Sequence, residues 1–397
     1  MTSAPGAPSD APLRTSVPPW RNVRVRRVAA QGVFVLAVLV AALWLWNNLT
    51  SAMARTNLTF SLNFLRTTAG FEIAESPIPF RAVDSYGQAF IAGLANTIVV
   101  SIVGIVLATI LGVLVGIARL SRNWLVSRLS AGFVEVMRNT PLLVQLVLLY
   151  AVLRQLPPVA GSISLPGSIY LNQRGLFIPS PEAEATLGPW LGLVVGAVAL
   201  AFVLRRIAVR REDAGLDPRR LGLVGLAGLI VIPLAGWIVL GAPISFDPPV
   251  LERFNFRGGT SFSPEFTALL AGLVIYTAAF IGEVVRGGIQ AVRRGQVEAA
   301  QALGLTERQT LRLVVFPQAL RVIVPPLTSQ YLNLAKNSSL AIAIGFPDLF
   351  AVSRTMANQT GQPVSVIVLV MATYLTISLA TSLLMNLYNR RVQVLER

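Results

Sequence analysis

The stretch that decides the fold runs from residue 283 to residue 317 and reads EVVRGGIQAVRRGQVEAAQALGLTERQTLRLVVFP. It is mostly polar and strongly basic, and it lies between two apolar segments that are each long enough to cross a lipid bilayer. A polar stretch in that position predicts a loop that protrudes on one side of a membrane, where a second protein can reach it.

Local signals within this loop predict two short helices. Residues 296–303 are mostly good helix formers, and Gly304 stands where a left-handed cap would end the first helix. Thr306 and Gln309 form a capping box for a second helix, which we expect Pro317 to stop. The small side chains of the first helix would let the backbone of a partner approach closely.

Composition places the whole chain in a membrane. Of its 397 residues 54% are hydrophobic and only 13% are charged, about half the charged share of a soluble globular protein. The net charge of +15 comes almost entirely from Arg residues that flank apolar runs. That distribution is typical of a protein embedded in lipid, and it argues against nucleic acid as a partner.

The absence of two residue types restricts the chemistry. With no Cys, the sequence excludes disulfides, thiol chemistry and Cys-based zinc sites. With no His, it lacks the commonest metal ligand and the commonest general base. We therefore expect no catalytic residues, no metal and no cofactor on this chain.

Eight apolar runs predict eight membrane spans, the first of which ends in LWLWNN and lacks the cleavage site of a signal peptide. The spans are 28–46, 89–118, 129–153, 189–207, 221–241, 266–285, 322–344 and 364–388. The predicted divisions are a disordered basic tail (1–27), the first span and its loop (28–88), a first core half (89–153), an insertion with two extra spans (154–263), a second core half (264–390) containing the polar loop (286–321), and a C-terminal end (391–397). The loop over 154–188 is rich in Pro and Gly and is expected to be irregular.

The distribution of cations predicts the topology. With the N-terminus inside, segments on the cytoplasmic side hold 24 Arg residues and those outside hold 8. Such a bias is expected when both termini are cytoplasmic. The sequence therefore predicts a multi-pass membrane protein with both termini in the cytoplasm.

Beyond these general features, the sequence resembles a known family. Glu298-Ala299-Ala300, three residues, Gly304, nine residues and then VVFP closely resemble the EAA loop of ABC importer membrane subunits, with Val314 and Phe316 at positions that prefer Ile and Leu. GLANTIVVSIVGIVLATILGVLVGIARLS (93–121), FVEVMRNTPLLVQLVLLY (133–150) and FPQALRVIVPPLTSQYLNLAKNSSLA (316–341) are similar to permeases of polar amino-acid ABC importers. The segment with LNQRGLFIPSP (171–181) resembles an insertion in the general L-amino-acid permease subunits of proteobacteria.

This resemblance implies an all-α integral protein of the bacterial inner membrane, with a type I ABC importer permease core and about eight transmembrane helices. It further implies a second permease subunit, a different but homologous chain, together with an ATPase homodimer that carries ATP and Mg²⁺ and a periplasmic solute-binding protein. The cargo would be an L-amino acid. A P-loop requires a Lys after its second Gly, and the only Lys lies in AKNSS at 335–339, so the ATPase must be another chain.

The resemblance assigns coupling to the ATPase to six residues, and its effect would be that of a lever. They are Gln296, Glu298, Ala299, Ala300, Leu303 and Gly304. The alternative is an ordinary cytoplasmic loop with two helical turns.

Polar residues within the spans are candidates for the substrate path, because they are costly in lipid unless they face protein or water. Tyr276, Phe280 and Glu283 lie on one face of the sixth predicted span, while Asn333, Lys336, Asn337 and Ser338 lie along the seventh. Glu283 could instead pair with Arg286, and Lys336 with an acid. Asn96, Thr97 and Gln145 are interpreted as residues that hydrogen-bond between helices, and Gly104, Gly112 and Gly116 as sites of close helix contact.

Two other classes of function are compatible with a membrane protein of this composition. One is an ion-coupled secondary amino-acid transporter that acts without an ATPase, which would leave the polar loop at 286–321 unexplained. The other is a scaffold that transports nothing, which would not need polar residues within its spans. Co-purification with an ATPase would separate both from an importer subunit.

Overall fold

A computed structural model describes residues 23–55, 60–210 and 218–393. Residues 1–22 of the predicted disordered tail and the last four residues lie outside these ranges. One helix, α1 (Val23–Arg55), belongs to a unit of its own, while the chain from Asn63 onwards forms a second compact unit. Within α1, Arg26–Ala52 is apolar and long enough to span a membrane, which agrees with the predicted first span.

The second unit contains a core of long helices. Its elements in chain order are α2 (Tyr86–Ala118), α3 (Trp124–Asn139), α4 (Leu142–Arg154), α5 (Leu187–Arg210), α6 (Pro218–Val239), α7 (Pro264–Gln290), α8 (Arg294–Ala302), α9 (Glu307–Thr310), α10 (Phe316–Asn337), α11 (Leu349–Thr360) and α12 (Pro363–Gln393). In the described ranges six helices are long and apolar enough to cross a membrane, or seven if the bent pair α3–α4 is one span. The predicted 221–241 span corresponds to a shorter apolar helix over Leu223–Val239.

Helices α2 and α7 pack closely because glycines line their contact. A Cβ at Gly112 would lie 2.6 Å from side-chain atoms of Ile281, and one at Gly116 would lie 2.7 Å from the carbonyl oxygen of Gly282. The predicted close contact at these two glycines is thus confirmed. Buried apolar side chains from α4 and α10 complete the core around α7, among them Leu146 and Leu334.

The predicted span over 129–153 is not one straight helix. The helix axis bends by 106° between its two halves, α3 and α4. Pro141 explains the break, because the residue before a proline is pushed out of the helical region and Thr140 is extended (φ −98°, ψ 127°). Gln145, buried in α4, donates to the carbonyl oxygens of Met137 and Thr140 and so satisfies backbone groups that the break leaves exposed.

The segments that flank α5 and α6 contain short strands, so the prediction of an irregular loop over 154–188 was wrong. The strands are β1 (Ile163–Leu165), β2 (Ile169–Asn172), β3 (Gly175–Ile178), β4 (Ser180–Ala183), β5 (Ile244–Asp247), β6 (Val250–Glu252), β7 (Asn255–Arg257) and β8 (Thr260–Phe262). They form an antiparallel sheet in the order β1-β2-β3-β8 and two separate pairs, β4-β5 and β6-β7. The strands before and after the α5–α6 pair are therefore bound to each other, and β8 leads directly into α7.

Candidate functional sites

Helix α8 protrudes from the end of α7 as a short, capped helix. Its last residue is followed by Leu303 and then by Gly304, whose φ of +80° lies in the left-handed region. Gly304 N–H donates to Gln301 O (2.9 Å) and Leu305 N–H donates to Ala300 O (3.2 Å), which is the Schellman pattern. The predicted glycine cap is confirmed, and both hydrogen bonds of this motif are present.

The six predicted coupling residues divide into an outer face and an anchor. Leu303 is 82% exposed, and Gln296, Glu298, Ala299 and Gly304 are exposed as well. Ala300 is only 4% exposed and packs inward. Leu303 is thus an apolar side chain exposed at the end of a short helix, where a partner could cover it.

The second short helix of the polar loop begins as predicted but does not end as predicted. The capping box of Thr306 and Gln309 is present. Pro317, however, does not stop the helix: α9 passes into a π-helical turn at Leu311–Val315 and then into α10, which includes Pro317. Proline in a helix crowds the carbonyl of the preceding turn, and a π-helical turn is one way to accommodate it. The polar loop is therefore one separate helix, α8, and the first turns of a long span.

A shallow groove of about 390 Å³ separates α8 from the body of the core. Val297, Gln301 and Val315 line it, together with Ile289 and Val292 near the end of α7. Thr310 also lines it; this residue is buried, and its hydroxyl has no hydrogen-bond partner among the described residues.

Glu283 lies in an ion cluster near the end of α7. It accepts hydrogen bonds from the guanidinium of Arg286, as the alternative interpretation expected, and also from that of Arg119, which follows α2. Burial lowers the pKa of Arg119, and the positive charges of Arg286 and Arg138 lower it further. The carboxylate of Glu283 therefore links the end of α2 to α7 through ion pairs with Arg119 and Arg286.

The aromatic candidates lie one turn and two turns before Glu283. The rings of Tyr276 and Phe280 are 4.9 Å apart, and the guanidinium of Arg138 lies 5.2 Å from the Phe280 ring centre. Both rings are half-buried. The predicted common face of these residues is thus present, with Arg138 of α3 facing it.

The candidates on α10 separate into exposed and buried positions. Asn333 and Lys336 are exposed on one stripe of the helix, together with Ser329, and Asn337 is half-buried beside them. Ser338 is fully buried and donates to Ala335 O at 2.8 Å. The exposed residues form a polar face near the end of the helix.

Asn96 does not bond between helices in the predicted way, whereas Thr97 does. Asn96 donates to Glu75 O (2.7 Å) and Pro347 O (2.8 Å), and Thr97 accepts from the backbone N–H of Leu349 (3.0 Å). Asn96 therefore fixes two connecting segments onto α2, and Thr97 joins α2 to the start of α11. Neither segment had a sequence signal that identified its partner.

Sequence reasoning also missed a buried carboxyl group. Asp348 is fully buried, caps α11 by accepting from Ala351 N–H (2.8 Å), and lies 3.4 Å from the Tyr374 hydroxyl. Burial raises the pKa of Asp348 to about 6. The Asp-Leu-Phe sequence at a helix start was the available signal, since Asp is a preferred N-cap.

The helical core, with an exposed, capped helix between two of its spans, defines a multi-pass membrane protein. Residues 221–394 match the model of the family described as "Binding-protein-dependent transport system inner membrane component". The general L-amino acid transport system permease protein AapQ of Rhizobium johnstonii is 45% identical over 369 residues, covering 92% of each chain. The putative amino-acid ABC transporter permease protein YhdX of Escherichia coli is 44% identical, over 95% of this chain and 97% of that protein.

A third relative, the glutamate/glutamine/aspartate/asparagine transport system permease protein BztB of Rhodobacter capsulatus, is 40% identical over 95% of this chain and 96% of its own length. The chain belongs to the polar amino-acid ABC permease family. It is a non-catalytic membrane subunit of an ABC importer, and ATP is hydrolysed by a separate chain. The predicted family and fold class are confirmed, except that the count of about eight spans is not.

Proposed function

We propose that this subunit takes up L-amino acids, with polar side chains or over a broad range, and that α8 couples it to an ATPase homodimer. The names of the three relatives support the substrate class, since each is a permease of amino-acid transport. The observation that carries the coupling is the exposed tip of α8, where Leu303 protrudes beside the Gly304 cap.

The proposed motion is that of a lever. Closure of the ATPase dimer would push on Leu303, Ala299 and Glu298, and α8 would pass the force to α7 and α10, between which it lies. Ala300 is the buried anchor on the inner face of α8, and Gln318 Nε2 donates across to Gln296 Oε1 at 3.4 Å. The spans would then alternate between inward-open and outward-open states.

The remaining parts of the importer follow from the same proposal. The pore is completed by a different, homologous permease, and a periplasmic solute-binding protein delivers the amino acid. Both termini lie in the cytoplasm, so that α8 faces the ATPase and the strands face the periplasm. Asn333, Lys336 and Asn337, with Tyr276 and Phe280, face the path between the two permeases, whereas Glu283 and Ser338 act mainly in structure.

Uptake by the reconstituted complex tests this proposal. The full complex in proteoliposomes, with ATP inside and the binding protein outside, should accumulate radiolabelled L-amino acids. Glu298→Arg and Gly304→Glu should abolish ATP-dependent uptake and weaken co-purification of the ATPase. Glu184→Arg, an exposed carboxylate in the segment between β4 and α5, is the matched control and should leave both unchanged.

Two results would contradict the proposal. Uptake that persists without ATP or the ATPase would indicate an ion-coupled transporter. Uptake that survives both α8 substitutions would reject the lever. Reporter fusions at each terminus and after β7 check the orientation independently, because the proposal puts them on opposite sides of the membrane.

A further inference from the structure

A cavity of about 450 Å³ lies at the opposite end of α7 from α8. Three separate stretches supply its charged walls: the segment before α2 contributes Glu75, the β2–β3 turn contributes Arg174, and the first turn of α7 contributes Glu265. Since α7 is 27 residues long, about 40 Å separate this cavity from α8. Tyr276, the first path candidate on α7, lies 11 residues after Glu265, so about 16 Å of helix separate the cavity from the substrate path proposed above.

The position of Arg174 is fixed by the turn that carries it. Asn172 is fully buried, and its Oδ1 accepts from Arg174 N–H at 2.8 Å while its Nδ2 donates to Ser162 Oγ at 2.9 Å. The next residue, Gly175, has φ +113° and packs so tightly that a Cβ there would lie 1.9 Å from Phe262 O. This contact presses the turn onto the start of α7 and brings Arg174 to the same cavity as Glu265.

Hydrogen bonds also fix the positions of the carboxylates of Glu75 and Glu265. Ser263 N–H donates to Glu75 Oε2 (3.3 Å), and the Tyr150 hydroxyl donates to Glu265 Oε1 (2.7 Å). Asn96 binds the carbonyl oxygens of Glu75 and Pro347, and so joins two walls of the cavity. A carboxylate has about four lone-pair directions, so one such donor leaves each group able to accept more.

The charges in the cavity suit a ligand that carries both signs. Burial raises the pKa of Glu75, and the neighbouring negative charge of Glu265 adds to this, so a cation between them would relieve both effects. Arg174 is exposed; its Nη1 donates to Phe254 O (3.4 Å), and the other N–H groups of its planar guanidinium fork can still match a carboxylate. An α-amino acid at neutral pH has an ammonium group and a carboxylate attached to the same carbon, whereas a simple metal cation would gain nothing from Arg174.

We propose that this cavity is an outer receiving site for a zwitterionic amino acid, with its ammonium group between Glu75 and Glu265 and its carboxylate on Arg174. The inference rests on the proposed substrate class and adds a place where the cargo waits on the strand side before it enters the spans. The β2–β3 turn and β8 would then have a function of their own, because they build one wall of the site.

Direct binding to the complete complex, without the solute-binding protein, tests the site. L-glutamine is the probe, measured by equilibrium binding of the radiolabelled compound. Glu75→Gln, Glu265→Gln and Arg174→Gln should each weaken binding at least tenfold, because each removes a charge-assisted hydrogen bond. Glu72→Gln, an exposed carboxylate three residues from Glu75, and Arg257→Gln in β7 are matched controls that should bind as the unaltered complex does.

Two competitors separate a zwitterion site from a simpler charged site. 4-Aminobutanamide has the amine and side chain of glutamine without the carboxylate, and glutaramic acid has the carboxylate without the amine. Both should compete at least tenfold less well than glutamine. Equal competition by the amine alone would overturn the proposal in favour of a cation site.

The failure of this inference differs from the failure of the proposed function. Normal amino-acid uptake with unchanged glutamine binding in all three cavity variants would reject the site and leave the importer assignment intact. No uptake of any amino acid by the unaltered complex would reject the substrate class, and the site with it. Arg174→Lys keeps the positive charge and should recover part of the binding, which a mere folding defect at this position would not predict.

Discussion

Replacement of Asp348 by Asn should remove a pH dependence from the stability of this subunit. Asp348 lies between the span that ends at Ile344 and the one that begins at Pro363, and its side chain is fully buried. Its pKa rises from 3.8 to about 6, mainly through burial, although hydrogen bonds from Ala351 and Phe350 N–H oppose that rise. The folded protein therefore binds a proton at Asp348 more tightly than the unfolded chain does.

The sign follows from this difference. Stability from the protonated group is fully present below pH 3.8 and is lost as the pH rises through about 6. A rise of about two units corresponds to about 3 kcal/mol, because each unit is worth about 1.4 kcal/mol. The Asp348→Asn substitution changes the charge alone at the helix start, since Asn is as good an N-cap as Asp.

The assay is thermal unfolding of the purified complex in detergent between pH 4.5 and 8. Relative to the Asp348→Asn variant, the unaltered protein should become less stable as the pH rises towards 7, and the difference should level off above that. Glu182→Gln, an exposed carboxylate in β4, should show no such relative change. A difference between the two proteins that stays constant from pH 4.5 to 8 would refute the account of a buried, protonated carboxyl group.

Three further substitutions test the packing and the caps by thermal unfolding and uptake. Gly112→Ala should destabilise by about 1–3 kcal/mol, because its Cβ would lie 2.6 Å from Ile281, whereas Gly132→Ala, which meets open space, should be neutral or slightly stabilising. Gly304→Ala should lower the free energy of unfolding by about 1 kcal/mol, because an alanine is strained at a φ of +80°. Its fractional loss of uptake should exceed its fractional loss of stability, and equal fractional losses would argue against a coupling role. Glu283→Gln should destabilise by about 1–2 kcal/mol, discounted for partial exposure, because it leaves two guanidiniums without their shared carboxylate, and a more stable variant would show that the cluster is not structural.

Features set by near neighbours in the chain could be predicted from the sequence. The Gly304 cap and the Thr306 capping box depend on a few adjacent residues, and both are present. The partnership of Glu283 with Arg286 follows from a spacing of three on a helix. The second partner, Arg119, is 164 residues away, and only the packing of α2 on α7 brings it near.

Where predictions failed, distant contacts or an uncommon helical turn determined the structure. The β3–β8 pairing joins residues near 177 to residues near 261, which are far apart in the chain. Each of these strands is also too short for an alternating pattern of apolar and polar residues to be recognised. Pro317 does not end its helix because a π-helical turn precedes it, and such a turn is too uncommon to be expected from the presence of a proline. The cavity formed by Glu75, Arg174 and Glu265 depends on the same strand pairing, so no local motif indicated it.

The β4–β5 ladder has a consequence for how this chain could gain or lose its extra helices. Ala183 and Ile244 are opposite residues in that ladder, so their Cα atoms are only about 5 Å apart although the whole α5–α6 pair lies between them. A turn of two residues could bridge that gap. A single genetic deletion of 185–242 would leave Glu184 and Pro243 as that turn and so close the hairpin, and the β1-β2-β3-β8 sheet would remain attached to α7 as a self-contained module.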